Sequence, residues 1–165
     1  MKKKLIQQEN PIGIVGLGLI GGSLGLELQA LGYEVHGLVH RAKTAERARE
    51  RKIAQKISTD PKILQSCQLI ILALPLNKLL NPAQELINAL PATSVITDVG
   101  SVKEPVLNIW NKLHKNFVGS HPMAGTTHAG VDAGIIGLFK NRPWITTPTS
   151  QTNPIAFSMV QELAM

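Results

Sequence analysis

Short apolar runs alternate with amphipathic stretches along most of the chain. The apolar runs have strand composition and occupy residues 12–15, 33–39, 68–74, 94–99, 117–121 and 143–148. The run at 68–74 is apolar throughout, which predicts a parallel strand covered on both faces, whereas the prolines that bound 143–148 predict an edge strand. The alternation predicts an α/β fold of the doubly wound Rossmann type, with a mainly parallel sheet and helices on both faces.

Helical spacing and capping signals predict the connecting segments. The first helix has apolar residues at Leu24, Leu28 and Leu31. Gly32 follows it as the predicted C-terminal cap. Further helices are predicted at 44–56, from 58 to about 66, at 77–90 with a break at the proline of position 82, at 104–116, at 131–139 and from 153 onward. Trp110 is expected in the core.

The stretch from 12 to 23 joins a strand to a helix through closely spaced glycines. Gly16 permits a tight turn, Gly18 lets the backbone approach a pyrophosphate, and Gly21 lets the helix pack closely on its strand. The first turn of that helix contains Leu19 and Ile20, and its N–H groups face such phosphates. Glycine-rich turns also serve packing alone, but the strand before this one and the helix after it favour a dinucleotide site formed by these five residues.

The end of the second predicted strand indicates which dinucleotide is preferred. A fold that binds NAD usually has Asp or Glu there to bind the ribose 2′-hydroxyl, whereas this chain has Val39. His40, Arg41 and Lys43 follow. A guanidinium forms charge-assisted hydrogen bonds to a 2′-phosphate, so NADP is predicted over NAD. The alternative is a basic helix start that is merely solvated.

Other residues suited to chemistry follow the predicted strands at their carboxyl ends, where open α/β sheets bind ligands. Leu74 is a candidate backbone contact for the cofactor, although the proline turn after it also has a structural explanation. Ser101 and Lys103 are either site residues or a helix cap and a solvated charge. His121 carries a base that acts near neutral pH, but its position alone leaves open a role in satisfying backbone hydrogen bonds.

Composition narrows the classes of function. The chain has 165 residues, enough for one domain, and its 17 Lys and Arg against 11 Asp and Glu give a net charge of +6. The basic residues are dispersed and no aromatic residues interleave with them, which argues against a nucleic-acid partner. We predict no membrane span, no secretion signal and no metal site. Cys67 is the single cysteine and is expected to be a packed thiol, which suits a cytoplasmic location.

Four segments together resemble a known family. They are residues 16–23, 97–103, 119–125 and 143–148, which read GLGLIGGS, TDVGSVK, GSHPMAG and PWITTP. In this order they closely resemble the nucleotide-binding domain of prephenate and arogenate dehydrogenases, with the look of the cyanobacterial arogenate type. Many dehydrogenases share the glycine segment, whereas DVGSVK and SHPMAG in this order are specific.

The resemblance implies an oxidative decarboxylation of a small cyclohexadienol substrate, arogenate or prephenate, in tyrosine biosynthesis. In that reaction His121 would take the proton of the ring hydroxyl and hydride would pass to C4 of the nicotinamide. Loss of carbon dioxide would then aromatise the ring. Ser101 matches the family serine that hydrogen-bonds near this hydroxyl and the histidine.

The resemblance also implies a helical second domain that forms a homodimer and binds the substrate carboxylates. Nothing in this sequence corresponds to it. We expect a polar tail at 1–10, an NADP-binding domain at 11–150 and the truncated start of a connecting helix at 151–165. Such a chain is expected to bind NADP and to be poorly active or inactive alone.

Two alternatives stay open. A relative of the β-hydroxyacid dehydrogenases would share the glycine loop, but it would use a lysine of the second domain and leave His121 unexplained. A regulatory module that binds NADP without chemistry differs from an enzyme in that His121→Asn changes no activity. A methyltransferase is disfavoured because its cofactor has no phosphates for the helix N-terminus.

Overall fold

The computed structural model describes residues 4–164. Its strands are β1 (Ile12–Val15), β2 (Val35–Leu38), β3 (Lys56–Ser58), β4 (Leu69–Leu72), β5 (Val95–Asp98), β6 (Phe117–Pro122) and β7 (Trp144–Thr147). Its α-helices are α1 (Leu19–Ala30), α2 (Ala42–Glu50), α3 (Leu76–Leu80), α4 (Gln84–Ala89), α5 (Glu104–Leu113) and α6 (Pro154–Leu163), and a short 3-10 helix spans Pro61–Leu64.

The strands form one sheet in the order β3-β2-β1-β4-β5-β6-β7. All neighbours are parallel except β6 and β7, which are antiparallel. The chain moves outward from β1 to β3 and then returns to the other side of β1 at β4. This order confirms the predicted doubly wound fold, and it creates a switch point between β1 and β4 where such sheets bind ligands.

Two apolar clusters cover the two faces of the sheet. One contains buried residues of α1, α2 and α6, and the other contains those of α3, α4, α5 and the 3-10 helix. All four residues of β4 are fully buried, as predicted for a strand covered on both sides. Trp110 of α5 is also fully buried and donates its indole N–H to the carbonyl of Leu79, which confirms its place in the core.

The prediction of a helix over 44–56 was wrong at its carboxyl end. Helix α2 ends at Glu50, and β3 follows at Lys56–Ser58. Lys52 adopts a left-handed backbone with φ 52°, which turns the chain and allows Ile53 to be buried. Residues 51–56 are mostly charged or small like those of α2, so composition gave no sign that the chain turns at Lys52. At the end of α1, Leu31 is exposed rather than packed.

The prediction of a short helix at 131–139 was also wrong, because this segment is a loop held by other elements. The N–H of Ile135 donates to Ser23 Oγ of α1 at 2.9 Å. Arg51 donates to the carbonyl oxygens of Val131 and Gly134 at 2.7 and 2.8 Å. These bonds satisfy backbone groups that a helix would otherwise pair internally, so the loop lies across α1 and the region after α2.

Both described ends of the chain pack on the domain. The N–H groups of Leu5 and Ile6 donate to the carboxylate of Glu162 at 2.7 and 3.1 Å, and Ile6 is buried. Residues 1–3 of the predicted polar tail lie outside the described residues. Helix α6, predicted as the start of a connection, buries Met159 and Val160 against the sheet. The predicted break near position 82 is confirmed, because α3 and α4 are separate helices.

Candidate functional site

The turn from β1 into α1 is shaped by close backbone contacts. Gly16 has φ +90°, and a Cβ there would overlap the carbonyl oxygen of Ala73 after β4. A Cβ at Gly21 would overlap the carbonyl oxygen of Gly16 and come within 3.0 Å of the Ala73 Cβ. Only glycine fits both positions, because the obstructing atoms belong to the backbone and cannot rotate away.

Gly18 differs from these two glycines because a Cβ there would meet no atom within 4 Å. It is the N-cap of α1, and no side chain caps the helix. The N–H groups in the first turn of a helix have no intrahelical acceptor, and here those of Leu19, Ile20 and Gly21 receive no side-chain cap either. The first turn contains no acidic residue. This arrangement fits a pyrophosphate, because the helix N-terminus attracts anions.

Leu74 lies across the switch point from this turn. The preceding Ala73 donates its N–H to the carbonyl of Val15 at 2.8 Å, which ties the end of β4 to the end of β1. Leu74 itself is half-buried, and its Cδ2 lies 3.5 Å from where a Cβ of Gly16 would stand. The residue predicted as a contact thus borders the same open turn.

His40, Arg41 and Lys43 are all exposed at the junction of β2 and α2. Arg41 is the N-cap of α2, and its side chain makes no capping hydrogen bond. In the part of the chain from 4 to 164, none of the ion pairs involves these three residues. Their side chains are therefore accessible to a ligand that crosses the ends of β1 and β2.

Ser101 follows β5 and His121 lies near the end of β6, so both residues are at the carboxyl edge of the sheet. Ser101 is exposed in the turn between β5 and α5. The N-cap of α5 is Lys103, so the interpretation of Ser101 as a helix cap was wrong. His121 is half-buried in β6, opposite Ile145 of β7. Among residues 4–164 no hydrogen bond joins Ser101 to His121. The two residues therefore share the carboxyl edge of the sheet without a hydrogen bond between them.

A buried ion pair that the sequence did not reveal supports this edge. Asp98, at the end of β5, is fully buried and pairs with the ammonium of Lys103. Its carboxylate also accepts the N–H groups of Gly100 and Ser120 at 3.0 and 3.3 Å. Lys103 Nζ donates in addition to the carbonyl oxygen of Ser120 at 2.7 Å. Lys103 is thus not the solvated charge that was one of its two interpretations.

The hydroxyl of Ser120 extends this network to β7. It donates to the carbonyl oxygen of Asp98 at 2.8 Å and lies 2.9 Å from Thr97 Oγ1. Trp144 donates its indole N–H to the same hydroxyl at 3.0 Å. One fully buried serine therefore joins β5, β6 and β7 immediately before His121.

Burial works against both charges of the ion pair. It raises the pKa of the Asp98 carboxyl, although Lys103 and the N–H donors oppose the rise. It also lowers the pKa of the Lys103 ammonium, which Asp98 opposes. Such a pair contributes little net stability, because desolvation offsets the attraction, whereas its hydrogen bonds still fix geometry. An acid at the end of an apolar strand followed by a lysine five residues later was the only signal in the sequence.

The remaining histidines and the cysteine have structural roles or are exposed. His36 is buried and hydrogen-bonds Glu34 at 2.8 Å, and His114 is buried as well, while His128 is exposed. Cys67 is buried, and burial raises the pKa of its thiol to about 12, as expected for a packed thiol. Between residues 4 and 164, no group of His, Cys, Asp and Glu could hold a metal, and no helix is long and apolar enough to cross a membrane.

The sheet order and the glycine turn define a nucleotide-binding domain of the doubly wound class. The family model for "Prephenate dehydrogenase, nucleotide-binding domain" matches residues 24–165. The chain therefore belongs to the prephenate dehydrogenase family, as its nucleotide-binding domain. The glycine turn lies before the matched residues, so its assignment depends on the geometry and on structural relatives.

Individual relatives agree with this family. Prephenate dehydrogenase of Lactococcus lactis is 33% identical over 84% of this chain and 41% of its own length. The crystal structure of Synechocystis arogenate dehydrogenase is 36% identical with a TM-score of 0.84, covering 93% of this chain and 55% of that one. Prephenate dehydrogenase from A. aeolicus, solved with hydroxyphenyl propionate and NAD+, is 28% identical with a TM-score of 0.87, covering 96% and 57%.

The chain spans about half the length of the relatives that it matches. More distant solved structures, such as a diketoreductase at 15% identity and a TM-score of 0.68, show likeness of fold alone. The fold-level alternative of a β-hydroxyacid dehydrogenase therefore gains no functional support from them.

Gly21→Ala should destabilise the domain, whereas Gly18→Ala should not. The new methyl group at position 21 meets the backbone of Gly16, and we expect a loss of about 1–3 kcal/mol in the free energy of unfolding. Position 18 has open space and an ordinary backbone conformation, so Gly18→Ala should cost less than about 1 kcal/mol. Urea denaturation followed by circular dichroism compares the two, and equal losses would contradict the close approach described for Gly21.

Lys103→Met should be far more destabilising than removal of both charges. The single change leaves the carboxylate of Asp98 buried without its cation, which we expect to cost about 3–5 kcal/mol. The double variant Asp98→Asn/Lys103→Met removes the unpaired charge and should recover much of this loss, but not all of it, because an asparagine amide accepts only one of the two backbone N–H groups that the carboxylate accepts. Urea denaturation at neutral pH measures both. A double variant as unstable as the single one would show that the ion pair itself stabilises the fold.

Proposed function

We propose that this chain is the nucleotide-binding part of an NADP-dependent dehydrogenase that oxidatively decarboxylates arogenate or prephenate in tyrosine biosynthesis. The observation that carries the proposal is the open glycine turn at the switch point, with His121 on the same carboxyl edge of the sheet. Family membership and the names of the relatives support the reaction class. The free thiol of Cys67 is compatible with a cytoplasmic enzyme.

The glycine turn is proposed to hold the pyrophosphate of the cofactor. Gly16 and Gly21 bring β1, α1 and β4 close together, and Gly18 leaves the space that the phosphates need. The N–H groups of Leu19 and Ile20 would donate to the phosphate oxygens at the positive end of α1. Leu74 would border the bound dinucleotide from the end of β4. When bound, the nicotinamide supplies the acceptor for a hydride from the substrate ring.

The preference for NADP is proposed from the residues after β2. The position where NAD-binding folds usually have Asp or Glu is occupied by the buried Val39. No carboxylate there binds a ribose 2′-hydroxyl or repels a 2′-phosphate. Arg41 is exposed beside it and free of capping bonds, and His40 and Lys43 add positive charge nearby. The A. aeolicus relative was solved with NAD+, so the proposed preference rests on this chain's own basic residues.

His121 is proposed as the base that accepts the proton of the substrate's ring hydroxyl. As that proton leaves, the O–H electron pair forms the carbonyl and the hydride leaves the same ring carbon. The electron pair of the bond to the departing carboxylate then moves through the ring onto the carbonyl oxygen, which takes up a proton, so that carbon dioxide is lost and the ring becomes an aromatic phenol. An imidazole suits this step because it exchanges protons near neutral pH. The exposed hydroxyl of Ser101 would hydrogen-bond the reacting oxygen.

Substrate binding and assembly are proposed at the level of the family. The relatives are about twice as long as this chain, so we expect residues 1–165 on their own to bind NADP but to turn over arogenate or prephenate poorly. We likewise propose that the homodimer expected for the family forms only in a protein that also contains the second domain.

NADPH should bind this chain more tightly than NADH. Because Arg41 is proposed to contact the 2′-phosphate, Arg41→Met should weaken NADPH binding about tenfold to a hundredfold and leave NADH binding unchanged. Lys62→Met, which removes an exposed cation from the 3-10 helix on the other face of the sheet, is the matched control and should change neither. Nicotinamide fluorescence during titration gives the dissociation constants. Equal affinity of the unmodified chain for NADH would overturn the preference.

His121→Asn should remove the chemistry and leave nucleotide binding intact. Asparagine keeps a polar side chain but accepts no proton near neutral pH, so we expect at least about a hundredfold slower formation of NADPH. Single-turnover absorbance with the protein in excess over arogenate, and separately over prephenate, allows slow reactions to be measured. His128→Asn on the exposed loop is the control. Unchanged rates in His121→Asn, or a lost affinity for NADPH, would contradict the assigned role.

A further inference from the structure

The peptide units on both sides of Ser120 are held by a side-chain ion pair. The N–H of Ser120 donates to Asp98 Oδ1 at 3.3 Å. Its carbonyl oxygen, which belongs to the peptide bond with His121, accepts from Lys103 Nζ at 2.7 Å. The ammonium of Lys103 is itself held by Asp98. The backbone immediately before His121 is thus attached to the end of β5 through two charged side chains.

This attachment begins where the strand ladder between β5 and β6 stops. Thr97 pairs with Val118, and no further pair joins these strands within the described residues. Beyond Val118, the backbone neighbour of β6 is β7, a half-exposed edge strand that continues opposite His121 and Pro122. The ion pair, together with the Ser120 hydroxyl that donates to the Asp98 carbonyl, therefore takes the place of ladder hydrogen bonds on the β5 side of the segment that carries His121.

We propose that Lys103 is a positioning residue that fixes the carboxyl end of β6, and with it the backbone from which the His121 side chain projects. Asp98 holds the ammonium in the orientation that reaches the Ser120 carbonyl. Lys103 acts through His121 and does not touch the substrate. The catalytic meaning of this position rests on the proposed function, in which His121 is the base.

The burial of the pair supports positioning over stability. The side chain of Lys103 is 16% exposed and that of Asp98 is fully buried, so both charges lose most of their hydration. If the pair served only to stabilise the fold, apolar side chains of similar volume would stabilise it equally well. Apart from the bond between them, the side chains of Asp98 and Lys103 hydrogen-bond only to the backbone of Gly100 and Ser120 among the described residues. Gly100 directly precedes Ser101, and Ser120 directly precedes His121.

Amide hydrogen exchange tests the proposal without requiring turnover. The reporters are the amides of His121 and Met123, the latter donating to the Pro143 carbonyl at 2.8 Å. The reference amides are those of Ile14 and Ile71 in the central strands β1 and β4. In Lys103→Met we expect the reporters to exchange about tenfold faster beyond any change at the reference amides, because the carboxyl end of β6 opens locally.

Two further variants separate positioning from charge balance. Asp98→Asn/Lys103→Met removes the unpaired carboxylate, so the reference amides should return towards their original rates while His121 and Met123 remain fast. Lys103→Arg keeps a cationic donor and should restore slow exchange at both reporters. A uniform change at all four amides in Lys103→Met, or full recovery of the reporters in the double variant, would overturn the positioning role.

NADPH titration of the same variants distinguishes this inference from the proposed function. The variants should keep the dissociation constant of the unmodified chain, because the glycine turn and Arg41 lie on other strands. If the unmodified chain fails to bind NADPH, the proposed function is wrong and the exchange data still decide whether Lys103 fixes β6. If binding is normal and exchange is uniform, only the positioning role is wrong.

Discussion

The close backbone approach among Gly16, Gly21 and Ala73 is the constraint on which the candidate site depends. It brings the ends of β1 and β4 and the start of α1 together at the place where the strand order reverses. A larger residue at either glycine would push these elements apart, because the opposing atoms are backbone carbonyl oxygens. Gly18, where α1 begins, borders open space, and the first N–H groups of the helix have no intrahelical acceptor and no side-chain cap.

The far side of the edge is organised differently, by polar groups in a buried setting. Ser120, Asp98 and Lys103 connect β5 and β6 beyond the last ladder pair, and Trp144 adds β7. The charges in this network are costly to bury. Near Gly16, by contrast, the described residues bury no charge, and backbone carbonyl oxygens limit the space for side chains. The two halves of the site thus differ in kind: one is shaped by the absence of side chains and the other by charged side chains that hold a backbone.

Much of the fold followed from the sequence because the strands that form the sheet centre are short and apolar, and their connections begin with recognisable turns. The doubly wound class, the buried run at 68–74 and the edge strand near Trp144 were predictable on that basis. β3 was missed because Ile57 is the only buried residue of a three-residue strand. The loop at 131–139 was mistaken for a helix because its hydrogen bonds go to Ser23 and Arg51, far away in sequence.

The candidate site was predictable in its residue types but not in its contacts. His121, Ser101 and the glycines stand at strand ends that a pattern can locate, whereas the bonds of Lys103 and Asp98 to Ser120 join residues that only the folded sheet brings together. Nitrogen-edited NMR of the chain during NADPH titration tests the central claim most directly. We expect the amide signals of Gly18, Leu19 and Ile20 to move together with that of His121. Signals that move only in the loop at 131–139, or no movement at the glycine turn, would contradict this claim.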